Sequence, residues 1–102
     1  MPPGVPILDF SGLGVRLFAA ANEYYGAGRL TDAERLYRRL LAGSPGHVAG
    51  RNNLANLLLD RGCAAGAVDA AKEALAEIER NSDENGEFRG AVEETLARSL
   101  TL

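Results

Sequence analysis

The chain has 102 residues, of which 46% are hydrophobic and 25% charged, proportions typical of a single globular domain rather than a disordered segment. Its net charge of −3 is unevenly distributed. Residues 1–51 carry six arginines and four acids, a balance of +2, whereas residues 52–102 carry five basic and ten acidic side chains, a balance of −5. The sequence has neither a dominant basic field nor a run of about 18 apolar residues, so we expect neither a nucleic-acid binder nor a membrane protein.

The chain has few of the side chains that chemistry at a site usually needs. Cys63 is the single cysteine, so no internal disulfide can form, which suits a reducing cytoplasm. His47 is the single histidine, which excludes a Ser-His-Asp triad and a paired-histidine metal site. Acids do cluster, for example at Glu73 and Glu77, but at helical spacing they are typical of a solvated face. We therefore expect a non-catalytic protein with no cofactor and no metal, located in the cytoplasm.

The first third of the chain predicts a tail and then a helix. Residues 1–10 are rich in proline and glycine and predict an N-terminal tail. Ser11 is the candidate N-cap of a first helix that runs to Gly26, and Gly28 is its stop signal. The apolar residues are mainly alanine and leucine, which lose little conformational freedom in a helix.

The next two helices have clear start and stop signals. Thr31 and Glu34 have the spacing of a capping box, which predicts a second helix over about 32–42 that Gly43 ends. Ser44 followed by Pro45 predicts the N-cap and first position of a third helix over about 46–61, ended by Gly62. The first turn of this helix contains the histidine, for which we expect an exposed or capping role.

Two further helices complete the chain. A fourth is expected over about 64–80 and a last one over about 84–100. The last carries an apolar stripe at helical spacing, formed by Phe88, Ala91, Val92, Leu96 and Leu100. Five helices with short turns predict an all-α fold.

The chain also repeats itself with a period of 34 residues. Each copy covers one helix, one glycine turn and a second helix. The matching pairs include Ala21 with Ala55, Asn22 with Asn56, Gly28 with Gly62, and Ala33 with Ala67.

The first copy resembles a tetratricopeptide repeat (TPR). The positions that carry the resemblance are Leu17, Ala20, Ala21, Tyr24, Gly28, Ala33, Tyr37, Leu40 and Pro45. The second copy departs from the pattern where Arg51 replaces the first large apolar residue and where no proline follows its second helix. The resemblance implies a short TPR-like α-solenoid of antiparallel helix pairs over residues 11–102, with repeats at about 14–47 and 48–81 and a capping helix at about 84–100. The alternative is a generic alanine- and leucine-rich bundle.

The resemblance also implies a peptide-binding groove, because the first helices of TPR pairs line a concave face. Asn22 and Asn53 match two asparagines of the TPR subset that grips chaperone C-termini. Phe18, however, stands where that subset has a lysine, and Asp83 and Glu87 stand where it has basic residues. We therefore expect a peptide or helix of another protein rather than a chaperone tail. The groove residues are Phe18, Asn22, Tyr25, Asn52, Asn53, Asn56 and Leu59.

A scaffold or adaptor that binds a partner protein is thus the main expectation, and self-assembly is the alternative. Two repeats are fewer than the three usually needed for a stable solenoid, so an exposed repeat end could contact another copy and form a homo-oligomer. The opposite charges of the two halves favour head-to-tail stacking. A third reading is that the asparagines cover an unused surface. Similarly, Arg35, Arg38 and Arg39 share one helix face that is either solvated or suited to an acidic partner.

Overall fold

A computed structural model describes the backbone of residues 4–80 and 86–101 and the side chains of residues 12–80 and 88–101. Within these ranges the regular structure is helical and contains no strand, which confirms the all-α fold. The helices are α1 (Gly4–Gly26), α2 (Leu30–Gly43), α3 (Val48–Asp60), α4 (Ala64–Arg80) and α5 (Gly86–Leu100).

Neighbouring helices pack against each other along the chain. Each of α1 to α4 contacts the helix that follows it, and α3 also contacts α5. Short turns join consecutive helices side by side, so the neighbours run antiparallel. The result is a repeat-like array in which the odd-numbered helices lie next to one another on one side.

The two glycine turns have the same hydrogen bonds 34 residues apart. Gly28 and Gly62 adopt φ values of 80° and 82°, the left-handed conformation that glycine reaches without strain. In the first turn the N–H of Arg29 donates to the carbonyl of Tyr24 at 2.9 Å, and in the second Cys63 N–H donates to the Leu58 carbonyl at 2.8 Å. These are the bonds of a helix-ending Schellman motif, so the predicted stops at both glycines are confirmed.

Small residues form the centre of the core. The paired alanines of the two copies are all fully buried, which allows neighbouring helices to approach closely. Tyr37, Leu40, Leu57 and Ile78 fill the space around them and are almost completely removed from solvent. The buried alanines that the two copies share are Ala21, Ala33, Ala55 and Ala67.

Two predicted helix starts are wrong. Helix α1 begins at Gly4, within the residues predicted as a tail, so Ser11 lies inside the helix instead of capping it. Pro6 is compatible with this start because it lies in the first turn, where its missing N–H removes no intrahelical bond. Helix α2 begins at Leu30, so Thr31 lies inside the helix rather than at its N-cap. Its hydroxyl instead accepts a hydrogen bond from Arg61 at 2.9 Å.

The start of α3 also differs from the prediction. Ser44 is the C-cap of α2, and its N–H donates to the carbonyl of Leu40 at 2.8 Å. Pro45 lies in the turn that follows. His47 is the N-cap of α3, because its Nδ1 accepts from the N–H of Gly50 at 2.9 Å. The histidine has the capping role, one of the two roles expected for it, and the cap expected at the serine is wrong.

The buried side of α5 is rotated relative to the predicted stripe. Val92 is fully buried, but Ala91 is exposed and Leu100 is 63% exposed. Thr95 and Ser99 are buried instead, and each hydroxyl is satisfied there by donating to a carbonyl one turn earlier, at 3.0 and 2.8 Å. The predicted start of the helix near residue 84 lies outside the described residues.

Candidate functional site

The predicted groove residues lie on two helices that the fold places side by side, α1 and α3. These helices run parallel, and three pairs of side chains connect them at successive levels. Each pair combines a residue of α1 with one from α3 or its N-cap. From the N-terminal end the pairs are Phe18 with His47, Asn22 with Asn53, and Tyr25 with Asp60.

At the first level, an aromatic ring covers the helix cap. The rings of Phe18 and His47 have centroids 4.7 Å apart, and the Phe18 ring also lies 6.5 Å from that of Tyr37. The imidazole is half-buried, and this burial lowers the pKa of His47. The neutral form is also the one that the cap requires, since Nδ1 must accept the hydrogen bond from Gly50.

At the second level, one carboxamide oxygen connects three helices. Oδ1 of Asn22 accepts a hydrogen bond from the hydroxyl of Tyr37 on α2 and another from Nδ2 of Asn53 on α3, at 2.9 Å in the second case. Asn22 and Asn53 are partly buried and Tyr37 is fully buried, and this burial raises the pKa of Tyr37. Two of the asparagines predicted to line the groove therefore form hydrogen bonds between helices.

At the third level, the C-terminal ends of α1 and α3 are joined. The hydroxyl of Tyr25 donates to Oδ2 of Asp60 at 2.7 Å. Burial and then the hydrogen bond and negative charge of Asp60 raise the pKa of Tyr25 well above its usual range. The tyrosine is therefore fixed in position and stays protonated.

The remaining predicted residues have three different environments. Leu59 is only 8% exposed and belongs to the core. Oδ1 of Asn52 is buried and has no hydrogen-bond partner within the described part of the chain. Asn56 is partly exposed, and its Oδ1 accepts from the guanidinium of Arg98 at 3.1 Å.

Arg98 is a residue that sequence reasoning missed. It lies on α5, which does not continue the 34-residue pattern, so no repeat position indicated that it would meet Asn56. The contact arises because α5 packs against α3 as well as α4. A guanidinium carries five N–H donors, which makes Arg98 suited to binding carbonyl or carboxylate oxygens beside the asparagine.

An apolar area lies at the N-terminal end of the same side. Val15 of α1 is 71% exposed, and Phe18 is partly exposed one turn further along. A shallow pocket of about 230 Å³ lies nearby, lined by Gly46, His47, Val48, Ala49 and Phe88 of α5. We call the surface formed by Val15, Phe18, Ala49, Asn56, Phe88 and Arg98 the odd-helix face.

A larger surface pocket lies elsewhere, between α2, α3 and α4. It has a volume of about 490 Å³, and its floor contains Leu41, Leu54 and Leu58. An ion pair between Arg51 and Glu73, with 2.8 Å between the charged atoms, is part of its lining. The arginine that departs from the repeat pattern therefore joins α3 to α4.

No protein-family model matches the chain, and no curated protein matches its sequence. Among the described residues, no group of three or more His, Cys, Asp or Glu side chains is placed to hold a metal ion. No helix in the described ranges has both the length and the apolar character needed to cross a membrane. The geometry of the odd-helix face is therefore the basis for the functional argument.

Proposed function

We propose that the protein is a non-catalytic scaffold whose odd-helix face binds a peptide segment or helix of another protein. The observation that carries this proposal is the fixed position of the face: three connected levels join α1 to α3, and Arg98 joins α5 to α3. A surface that is already ordered loses little conformational entropy on binding. The resemblance to tetratricopeptide repeats, whose first helices line a groove, points to the same side of the molecule.

The two parts of the face suit different parts of a ligand. Val15, Phe18 and Phe88 would contact an apolar side chain, and its burial contributes about 25 cal/mol per Å² of apolar surface. Asn56 and Arg98 would contact main-chain carbonyls or a carboxylate. The expected ligand is thus a short peptide with one apolar anchor and an extended or helical backbone.

The test is selection of a displayed library of random peptides on the immobilised protein. Peptides that bind should share an apolar anchor, and Val15→Glu should weaken their binding at least about tenfold by placing a charge in the apolar area. Ala65→Glu is the matched control, because Ala65 is an exposed alanine on α4, away from this face. Selected peptides that bind both variants as well as the unchanged protein would assign binding to another surface.

The variants for this test avoid the asparagines at the second level. Asn22 and Asn53 connect helices, so replacing them would change stability as well as binding. Arg98→Ala is a better second variant, since its guanidinium contacts only the Asn56 side chain among the described hydrogen bonds.

We also propose a cytoplasmic location. Cys63 is exposed and free, as is usual for a protein of a reducing compartment. Cell fractionation with an antibody against the chain tests this, and recovery in an oxidising compartment would contradict it.

A further inference from the structure

Two of the large apolar side chains that the structure leaves exposed lie on the first and last helices of the array. Leu13 of α1 is 38% exposed, and Leu100 of α5 is 63% exposed. Within the described residues, α1 packs against α2 at one end of the array, and α5 packs against α4 and α3 at the other end. The two leucines therefore mark the two ends of the array.

The α1–α2 end contains an apolar pocket with a basic residue. The pocket has a volume of about 240 Å³, and Leu13, Leu17 and Leu40 line it. Gly14 also lines it and has no side chain to fill the space. Arg39 is exposed beside the apolar lining. We call this site the head pocket.

The α5 end presents an apolar strip with an acidic residue. Glu93, Leu96, Ala97 and Leu100 occur at i, i+3, i+4 and i+7, so they share one side of the helix. This side lies next to the buried side, which Val92 marks: Leu96 is partly buried against the core, whereas Glu93, Ala97 and Leu100 are exposed. Such spacing is typical of helices that bind in apolar grooves. We call these four residues the tail strip.

The charges of the two ends are complementary. Arg39 lies at the head pocket, whereas Glu93 lies in the tail strip with its side chain 57% exposed. The ion pair of Glu93 with Arg89 is long, at 4.0 Å, so Glu93 is held only weakly within its own chain. Contact between two heads would bring the two arginines together, and contact between two tails would bring the two glutamates together.

We infer that the tail strip of one copy binds in the head pocket of a second copy, so that the protein associates head to tail. Leu100 enters the apolar pocket, and Glu93 lies near Arg39. A head-to-tail contact leaves one free head and one free tail, and unless the copies close into a ring it continues into chains of increasing length. This inference concerns a different surface from the odd-helix face and does not depend on peptide binding there.

The test uses variants that each block one end. Leu13→Asp blocks the head and Leu100→Asp blocks the tail; both positions are exposed, so both variants should keep the circular dichroism spectrum of the unchanged protein. By sedimentation equilibrium, the unchanged protein should show an average mass that rises with concentration above the 10.8 kDa of the monomer. Each variant alone should associate at least about tenfold more weakly, as expected when a central apolar contact is lost.

An equimolar mixture of the two variants gives the decisive result. The mixture contains one unaltered tail strip, on Leu13→Asp, and one unaltered head pocket, on Leu100→Asp. It should therefore form a dimer of twice the monomer mass and nothing larger. A mixture that stays at the monomer mass would overturn the inference, as would an unchanged protein that is monomeric at every concentration. Ala65→Asp is the control, because Ala65 is exposed on α4 and belongs to neither the head pocket nor the tail strip, and it should associate like the unchanged protein.

Charge reversal tests the polar part of the contact. Arg39→Glu should weaken association, and the double variant Arg39→Glu/Glu93→Arg should restore it by re-forming an opposite-charge pair between copies. If the double variant associates no better than Arg39→Glu, the pairing of Arg39 with Glu93 is wrong.

Discussion

Asn22 is a polar residue whose main contacts lie within the protein. Its Oδ1 accepts from Tyr37 and from Asn53, so a single amide joins α1 to both α2 and α3. Partly buried polar groups that lose their partner are costly, because water replaces the lost bond only in part. Losing these hydrogen bonds would therefore reduce the stability of the fold rather than alter the exposed surface.

We therefore expect Asn22→Ala to lower the free energy of unfolding by about 1–3 kcal/mol, since it leaves both donors without their acceptor. Urea denaturation followed by circular dichroism measures the change. Asn56→Ala is the matched control, because its contact with Arg98 is at the surface and should contribute less than about 1 kcal/mol. Equal free energies of unfolding for Asn22→Ala and the unchanged protein would show that the hydrogen bonds of Asn22 do not contribute to stability.

His47 predicts a loss of stability in mild acid. Nδ1 of the neutral ring accepts from Gly50, and burial lowers the pKa of the folded state below 6.5. The unfolded chain then binds the proton more readily, so the free energy of unfolding decreases as the pH falls from about 6.5 through the lower folded pKa. Well above pH 6.5 the ring is neutral in both states and contributes no pH dependence.

The measurement is urea denaturation at intervals between pH 5 and pH 7.5. His47→Asn keeps a capping oxygen but does not titrate, so the part of the pH dependence that comes from the ring should disappear. A variant with the same pH dependence as the unchanged protein would assign that dependence to other groups.

At the scale of helices and turns, two glycines with similar surroundings differ in backbone conformation. Gly28 and Gly90 are both exposed, and a Cβ added at either would meet no atom within 4 Å. Gly28, however, has a φ of 80° in the turn after α1, whereas Gly90 lies inside α5. The same substitution should therefore have opposite effects at the two positions.

Gly28→Ala should destabilise the protein by about 1–2 kcal/mol, because a side chain is strained in the left-handed region. Gly90→Ala should stabilise it by about 0.5–1 kcal/mol through a smaller loss of backbone entropy on folding. Thermal unfolding of the two variants beside the unchanged protein measures both effects. A shift in the same direction for both would contradict the conformational explanation.

At the scale of the whole molecule, α5 completes a small array. It packs on α4 and on α3, and its Val92 is fully buried in the common core. Helical repeats are stabilised by contacts between neighbours, so an end helix covers apolar surface that would otherwise be exposed. This role makes the stability of the first four helices depend on the fifth.

A chain that ends after Arg80 should unfold at a lower urea concentration and with a smaller dependence on urea, because less surface is buried in its folded state. Circular dichroism follows the transition, and binding of a dye specific for exposed apolar surface reports the uncovered core. Val92→Ala serves as a milder variant, with an expected loss of about 1–2 kcal/mol. An unchanged urea midpoint for the shortened chain would contradict this role of α5.

Local sequence patterns predicted the structure correctly where a single turn or a repeated small residue determines it. The stops at Gly28 and Gly62 and the limits of α4 at 64–80 follow from nearby residues alone, because glycine is the residue that reaches a left-handed turn without strain. The five helices and the all-α class follow in the same way. The assignment to tetratricopeptide repeats and the binding groove stay predictions.

Packing between helices settled what local patterns left open. Ser44 and Thr31 looked like caps, but the N-cap of α3 is His47, and α2 already begins at Leu30. Thr95 is buried and Ala91 exposed because α5 packs on α4 and α3 with that side, and the threonine hydroxyl is satisfied within its own helix, so polarity alone misplaced the inner side of α5. Asn22 turned out to bond other helices because its partners are distant in sequence, and no local pattern contains a contact that only the folded chain brings together.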